Sequence, residues 1–203
     1  MSPAASPGSP RRSSRQAFVR ATAELLRRQG YAATGLNEIV ARSEAPKGSL
    51  YFHFPGGKEE LAATAITYAG ARLAGSIEAT LASSEDLGEA LARLADALAA
   101  GLQASDYAEG CPIATVALEA SCASEPIRDA AAATFDSWLA KLRERLVAAG
   151  FAPEAAARRA TLVLAAIEGA LILARVRRST EALTAVREEL VGLAEAPPGA
   201  RLS

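Results

Sequence analysis

One histidine, two cysteines, one tryptophan and one methionine occur in the chain, and aromatic residues make up 5% of it. With His53 as the only imidazole, Cys111 and Cys122 cannot be completed into a zinc site, so neither a metal nor a cofactor is expected. Two cysteines are also too few for a disulfide framework. They read as small buried apolar groups of a cytoplasmic protein. A paired-carboxylate motif and a glycine loop for phosphate are missing as well, which argues against an enzyme. No run approaches the roughly 18 uncharged apolar residues of a membrane span. The most apolar segment, Thr161 to Ala174, is interrupted by Glu168 and reads as a buried or dimer-interface helix. No apolar signal segment follows the Ser/Pro/Ala/Gly-rich start.

Half of the 203 residues are apolar, and with so few aromatics the core has to be built from Ala, Leu, Val and Ile. That composition points to an all-α protein. The overall charge of −1 is unevenly spread. Residues 1–60 carry nine Lys/Arg against five Asp/Glu, and the rest carries thirteen against eighteen. A basic third on an acidic body suits a DNA-reading head joined to a domain that does not bind DNA, although an imbalance of this size also arises by chance.

In chain order, residues 1–13 end in Arg11-Arg12 and are expected to be a disordered basic tail whose arginines could still meet phosphates. Ser13 or Ser14 caps a first helix that Gly30 ends, and Thr34 is placed to cap the second. A long helix runs from Lys58 towards Ala82, and an amphipathic one follows from Leu87 to Ala104 with Leu87, Leu91, Leu94, Leu98 and Leu102 on one face. Further helices are expected over Ile113–Ala120, from Ser124 to Ala149, over Glu154–Arg178 and from Thr180 to Glu195, giving nine in all.

The stretch Leu36 to Leu61 carries the functional signal. Leu36, Ile39 and Val40 have helical spacing, and Pro46 breaks the period after Ser43-Glu44-Ala45. Leu50 and Phe54, at i and i+4, form a buried stripe that leaves Lys47, Gly48, Ser49, Tyr51 and His53 free to face a partner. Two short helices joined in this way make a helix-turn-helix, whose second helix can enter a major groove. Lys58 opposes the dipole at its helix start, as a phosphate contact or a merely solvated lysine would. On the residues alone, Tyr51, Phe52 and Phe54 could equally be core of a small bundle, and the helix pair could dock a protein instead of DNA.

Gly30-Tyr31-Ala32-Ala33-Thr34, Ile39-Val40, Lys47-Gly48-Ser49-Leu50-Tyr51-Phe52-His53-Phe54 and Lys58-Glu59-Glu60-Leu61 together resemble the head of the TetR family of transcriptional repressors. APKGSLYFHFPGGKEEL and Gly110-Cys111-Pro112-Ile113 further resemble the branch related to lincomycin-resistance and flavonoid-responsive repressors. The resemblance implies a helix-turn-helix domain over 14–60, a ligand-binding and dimerisation domain over 61–196 and a tail over 197–203. It implies phosphate contacts from Thr34 and Lys58, a groove-entering end at Lys47, Gly48 and Ser49, and backbone contacts from Tyr51 and His53. Two positions depart from the family pattern: Glu44 stands at the turn position usually held by glycine, and Gly35 replaces a frequent Thr or Ser.

One recognition helix covers few base pairs, so the expected partner is a palindromic double-stranded DNA operator bound by a homodimer. The resemblance makes the last two helices the expected interface, with Ala160, Val163, Leu164, Ile167, Leu171 and Ala174 as the seam. The other body helices are expected to enclose a small hydrophobic effector, lined by Leu94, Leu98, Cys111, Val116, Phe135, Trp138 and Leu171. Each of these residues also fits plain core.

Overall fold

A computed structural model describes residues 13–194. The expected tails, apart from Ser13, lie outside the described residues. Among those described are nine helices: α1 (Ser14–Ala33), α2 (Leu36–Ser43), α3 (Gly48–His53), α4 (Gly57–Leu81), α5 (Leu87–Ala104), α6 (Pro112–Ala120), α7 (Glu125–Ala148), α8 (Pro153–Arg177) and α9 (Glu181–Ala194). The fold is all-α, as the composition implied. The caps follow local chemistry. Ser13 accepts from the Gln16 N–H, and Asp86 accepts from the Glu89 N–H at 2.7 Å. Prolines occupy the first turns of α6, α7 and α8, where no N–H donor is needed.

The helices enclose three apolar cores. Phe18, Leu25, Ile39, Leu50, Phe54 and Leu61 form the core of the head, with the Phe18 and Phe54 rings edge to face at 6.5 Å. Leu26, Ile66, Val116, Ile127 and Trp138 form a junction core contributed by α1, α4, α6 and α7. The largest core belongs to α5, α8 and α9 with parts of α4 and α7. The head is thus not a bead on a string, because Leu26 of its first helix is packed among body residues.

Two sequence expectations are corrected here. Gly30 does not simply end α1. At φ 76° and ψ −173° it kinks the chain, and one further helical turn follows to Ala33. The expected dimer seam also turns inward. Val163, Ile167, Leu171 and Ala174 are buried in the protomer's own core, and Leu164 is half-buried against it. The strongest apolar stripe of α8 is used for intramolecular packing. Leu162, Ile172, Leu173 and Val176 on the other side are left exposed.

The seven expected effector contacts lie in or against the apolar cores. Leu94, Leu98 and Leu171 belong to the large core, Val116, Phe135 and Trp138 to the junction core, and Cys111 touches both. A groove of about 700 Å³ lies elsewhere, lined by Arg15, Val19, Arg20, Glu60, Thr64 and Tyr68 among others, and includes none of the seven.

Candidate nucleic-acid interface

The turn between α2 and α3 is built from local chemistry. Glu44 closes α2 in the left-handed region, φ 54° and ψ 17°, where a non-glycine residue costs about 1 kcal/mol. The Ser43 hydroxyl donates to the Val40 carbonyl and accepts from the Ala45 N–H, satisfying backbone groups that the turn leaves open. Pro46 supplies the carbonyl that receives both the Ser49 N–H and the Ser49 hydroxyl at 2.9 and 2.7 Å. Leu50 and Phe54 then anchor α3 in the head core, as their spacing predicted.

The opposite side of α3 is open. A Cβ built on Gly48 would meet nothing within 4 Å, so a partner's backbone can approach closely there. Lys47 is exposed, Ser49 is half-buried, Tyr51 is 61% exposed and Phe52 is 80% exposed. His53 is half-buried, with its ring edge-on to Phe52 at 5.1 Å and to Phe54 at 6.5 Å. Phe52 is the residue that the sequence reading did not assign. Its position, three and four residues beyond Ser49 and Gly48, already put it on their face.

Thr34 has to be reassigned. It is 1% exposed, and its hydroxyl donates to the Gly30 carbonyl at 2.6 Å, so it closes α1. The residue at the start of α2 is Gly35, which brings no side-chain cap. Lys58, the other expected phosphate contact, lies with its Nζ 4.1 Å from the centroid of the Tyr31 ring. Burial there lowers its pKa, partly opposed by the charge of Glu119. Burial likewise raises the pKa of Tyr31, with Glu59 adding to the effect.

Two ion pairs and a hydrogen bond hold the head in shape: Arg42–Glu24 at 2.8 Å between α2 and α1, Gln29 to Glu38 at 2.7 Å, and Arg27–Glu109 at 3.0 Å from α1 to the α5–α6 linker. In the body, a second polar spot stands out. Glu168 is largely buried, one of its carboxylate oxygens has no hydrogen-bond partner, and burial raises its pKa. Beside it, burial and the Glu168 charge push the Cys111 thiol up. The signal for Glu168 was in the sequence, as the one acid within the most apolar run.

The family model for bacterial regulatory proteins of the tetR family matches residues 18–65, and that for the C-terminal domain of LmrA/YxaF-like transcriptional regulators matches 88–189. The uncharacterized HTH-type transcriptional regulator YxaF of Bacillus subtilis is 37% identical over 87% of this chain and 93% of its own length. The HTH-type transcriptional regulator LmrA of the same organism is 34% identical over 84% and 90%. Among solved structures, the reduced form of E. coli NemR superposes with a TM-score of 0.78 at 21% identity, covering 91% of this chain and 99% of that one. That likeness speaks to the fold alone. Among the described residues no helix is long and apolar enough to cross a membrane. A helix-turn-helix whose exposed α3 stands on a head joined to a larger helical body through a shared junction core, matched at both ends by the same family, places this chain among the TetR-family transcriptional regulators.

Proposed function

We propose that the protein is a ligand-responsive repressor that binds a palindromic operator as a homodimer and is released by a small hydrophobic effector. The observation that carries the DNA-binding part is the outer face of α3, where Gly48, Tyr51 and Phe52 stand free while Leu50 and Phe54 hold the helix from behind. Lys47 supplies a cation at the groove-entering end, and Lys58 can reach a phosphate by leaving the Tyr31 ring. The Ser49 hydroxyl proton is already engaged by Pro46, so the side-chain face offered to base edges is largely apolar. Phe52 would therefore read thymine methyl groups.

The second subunit docks on the exposed side of α8. Leu162, Ile172, Leu173 and Val176 flank Ala165 and Gly169, small residues that permit close helix approach. The effector enters the body between its two cores, near Cys111, which touches both. Glu168 gives it one hydrogen-bonding pole, so the favoured ligand is an apolar molecule carrying a hydroxyl or amine donor.

A gel-shift with DNA from upstream of the protein's own coding region tests the reading. Retardation that depends on sequence and weakens steeply with salt supports it. Absence of retardation at low salt overturns it in favour of a protein-docking role for the same helix pair.

A further inference from the structure

The body helix α6 reaches back to the head through one side chain. Glu119 Oε2 accepts the backbone N–H groups of Tyr31 at 2.7 Å and Ala32 at 2.8 Å. These are donors of the short turn that follows the kink at Gly30, and a new helical turn has no carbonyls of its own to offer them. The carboxylate therefore caps that turn from a different part of the fold, with the negative charge where the turn's dipole favours it. Its seat exists only because residue 30 is glycine. A Cβ there would lie 2.1 Å from Glu119 Oε1. Lys58 of α4 lies over the Tyr31 ring and within the field of Glu119, so α1, α4 and α6 meet at this point.

The other end of α6 is tied to α8. The linker from α5 contains two successive left-handed residues, Asp106 at φ 50° and Tyr107 at φ 60°, a strained arrangement that its surroundings must hold. Arg178 donates to the carbonyl and carboxylate of Asp106, and Arg175 donates to the Ala108 carbonyl at 3.0 Å. Glu109, in the same linker, pairs with Arg27 of α1. A shift of α8 thus displaces the linker and α6, and with them the carboxylate that caps the head.

We infer that Glu119 is the positioning residue through which α6 sets the orientation of the DNA-binding head, by capping α1 at Tyr31 and Ala32. The contact itself is independent of the DNA-binding proposal, and its consequence for operator choice rests on that proposal. Loss of the cap frees α1 beyond Gly30 and lets the two heads of a dimer tolerate spacings that the capped protein rejects.

Amide hydrogen exchange of the full-length protein, followed by NMR at Tyr31 and Ala32, tests the contact in E119A and E119Q. E119A should exchange these two amides at least about tenfold faster than wild type, as befits lost charge-assisted bonds. E119Q, whose carboxamide oxygen still accepts but carries no charge, should exchange them faster by a smaller factor, with α7 and α8 amides unchanged in both. E119Q retains the side-chain volume, so a change there is not a packing effect. Unchanged exchange in both variants overturns the inference. In parallel, an operator selected by the wild type from random duplexes is compared with a copy whose half-sites are moved apart. The variants should lose most of the wild type's preference between the two while binding random duplex equally well. Faster exchange with the preference intact refutes the positioning role. Should the wild type select no sequence at all, the DNA-binding proposal fails, and the exchange result decides the cap by itself.

Discussion

The indole N–H of Trp138 donates to the carbonyl of Gly70 at 3.1 Å, joining α7 to the middle of the helix that carries the head into the body. The same level is closed by Thr134, whose Cγ2 lies 2.4 Å from where a Cβ on Gly70 would stand, and further along by the Lys141–Glu78 ion pair. Helix α4 is therefore seated against α7 by backbone approach. Any movement of the head along α4 has to carry α7 or break this seat.

Gly70→Ala should reveal how tight the seat is. The added methyl overpacks the α4–α7 contact and should destabilise the fold by about 1–3 kcal/mol, read from urea or thermal unfolding. The paired change G70A/T134A removes both branches of Thr134 that meet the new methyl, Cγ2 at 2.4 Å and Oγ1 at 2.7 Å, and should recover much of the loss. A G70A protein as stable as wild type would show that α4 and α7 are not held in this register.

Phe52 separates stability from recognition. Its ring is 80% exposed, so Phe52→Ala should alter unfolding free energy by no more than about 0.5 kcal/mol. Operator affinity should nevertheless fall by about tenfold, with thymine-to-uracil replacement at the contacted step costing the wild type affinity and F52A none. Equal sensitivity of both proteins to uracil would place the ring away from the bases.

Glu168 predicts a pH dependence of the fold. Its pKa is raised in the folded body by burial, so the folded state holds the proton more tightly than the unfolded chain. Stability from this group is fully present below the unfolded carboxyl pKa and is lost as pH rises through the folded value. Glu168→Gln removes the cost of ionising it. The variant should gain in Tm over wild type at neutral pH, and the gain should shrink as pH falls towards the ordinary carboxylate range. A gain independent of pH would mean that the carboxyl is not the cause.

The exposed side of α8 should control assembly. Ile172→Glu and Val176→Glu place charges where Leu162, Leu173 and the small residues Ala165 and Gly169 form an open apolar surface. Both should sediment as monomers under conditions where the wild type is a dimer. Val163→Glu, buried at the protomer core, should instead unfold the chain. Dimers persisting in both surface variants would move the interface off this face.

Helix α8 also shows where sequence reasoning stops. Period and capping residues located nearly every helix, because proline, glycine and serine act within a turn of where they stand. Which apolar stripe of α8 faces its own core and which faces outward is not local information. Val163, Ile167 and Leu171 share their chemistry with Leu162, Ile172 and Leu173, and only the packing partners tell them apart. Thr34 failed for a different reason: a hydroxyl before a helix resembles a cap for that helix, whereas this one turns back to the carbonyl four residues earlier, that of Gly30, at 2.6 Å. The spacing of Leu50 and Phe54 gave the outer face of α3 but not the exposure of Phe52. The reach of Glu119 across 88 residues to Tyr31 had no sequence signal.

Glu44 offers a prediction in which two effects have the same sign. The residue sits at φ 54° in the turn between α2 and α3, exposed, with its acid next to the helix proposed to approach a polyanion. Glycine adopts this conformation without the steric cost of a Cβ, so Glu44→Gly should relieve about 1 kcal/mol of strain, partly offset by the greater entropy of a glycine in the unfolded chain. Removing the charge should also strengthen DNA binding and do so most at low salt, where an exposed carboxylate repels phosphates over the longest range. Glu44→Gln separates the two contributions, since it keeps the strained backbone and loses only the charge. If E44Q matches E44G in affinity while E44G alone gains stability, strain and repulsion act independently at this turn. If neither variant binds DNA more tightly at any salt concentration, the carboxylate does not face the duplex, and the approach of α3 has to be turned away from the α2 end.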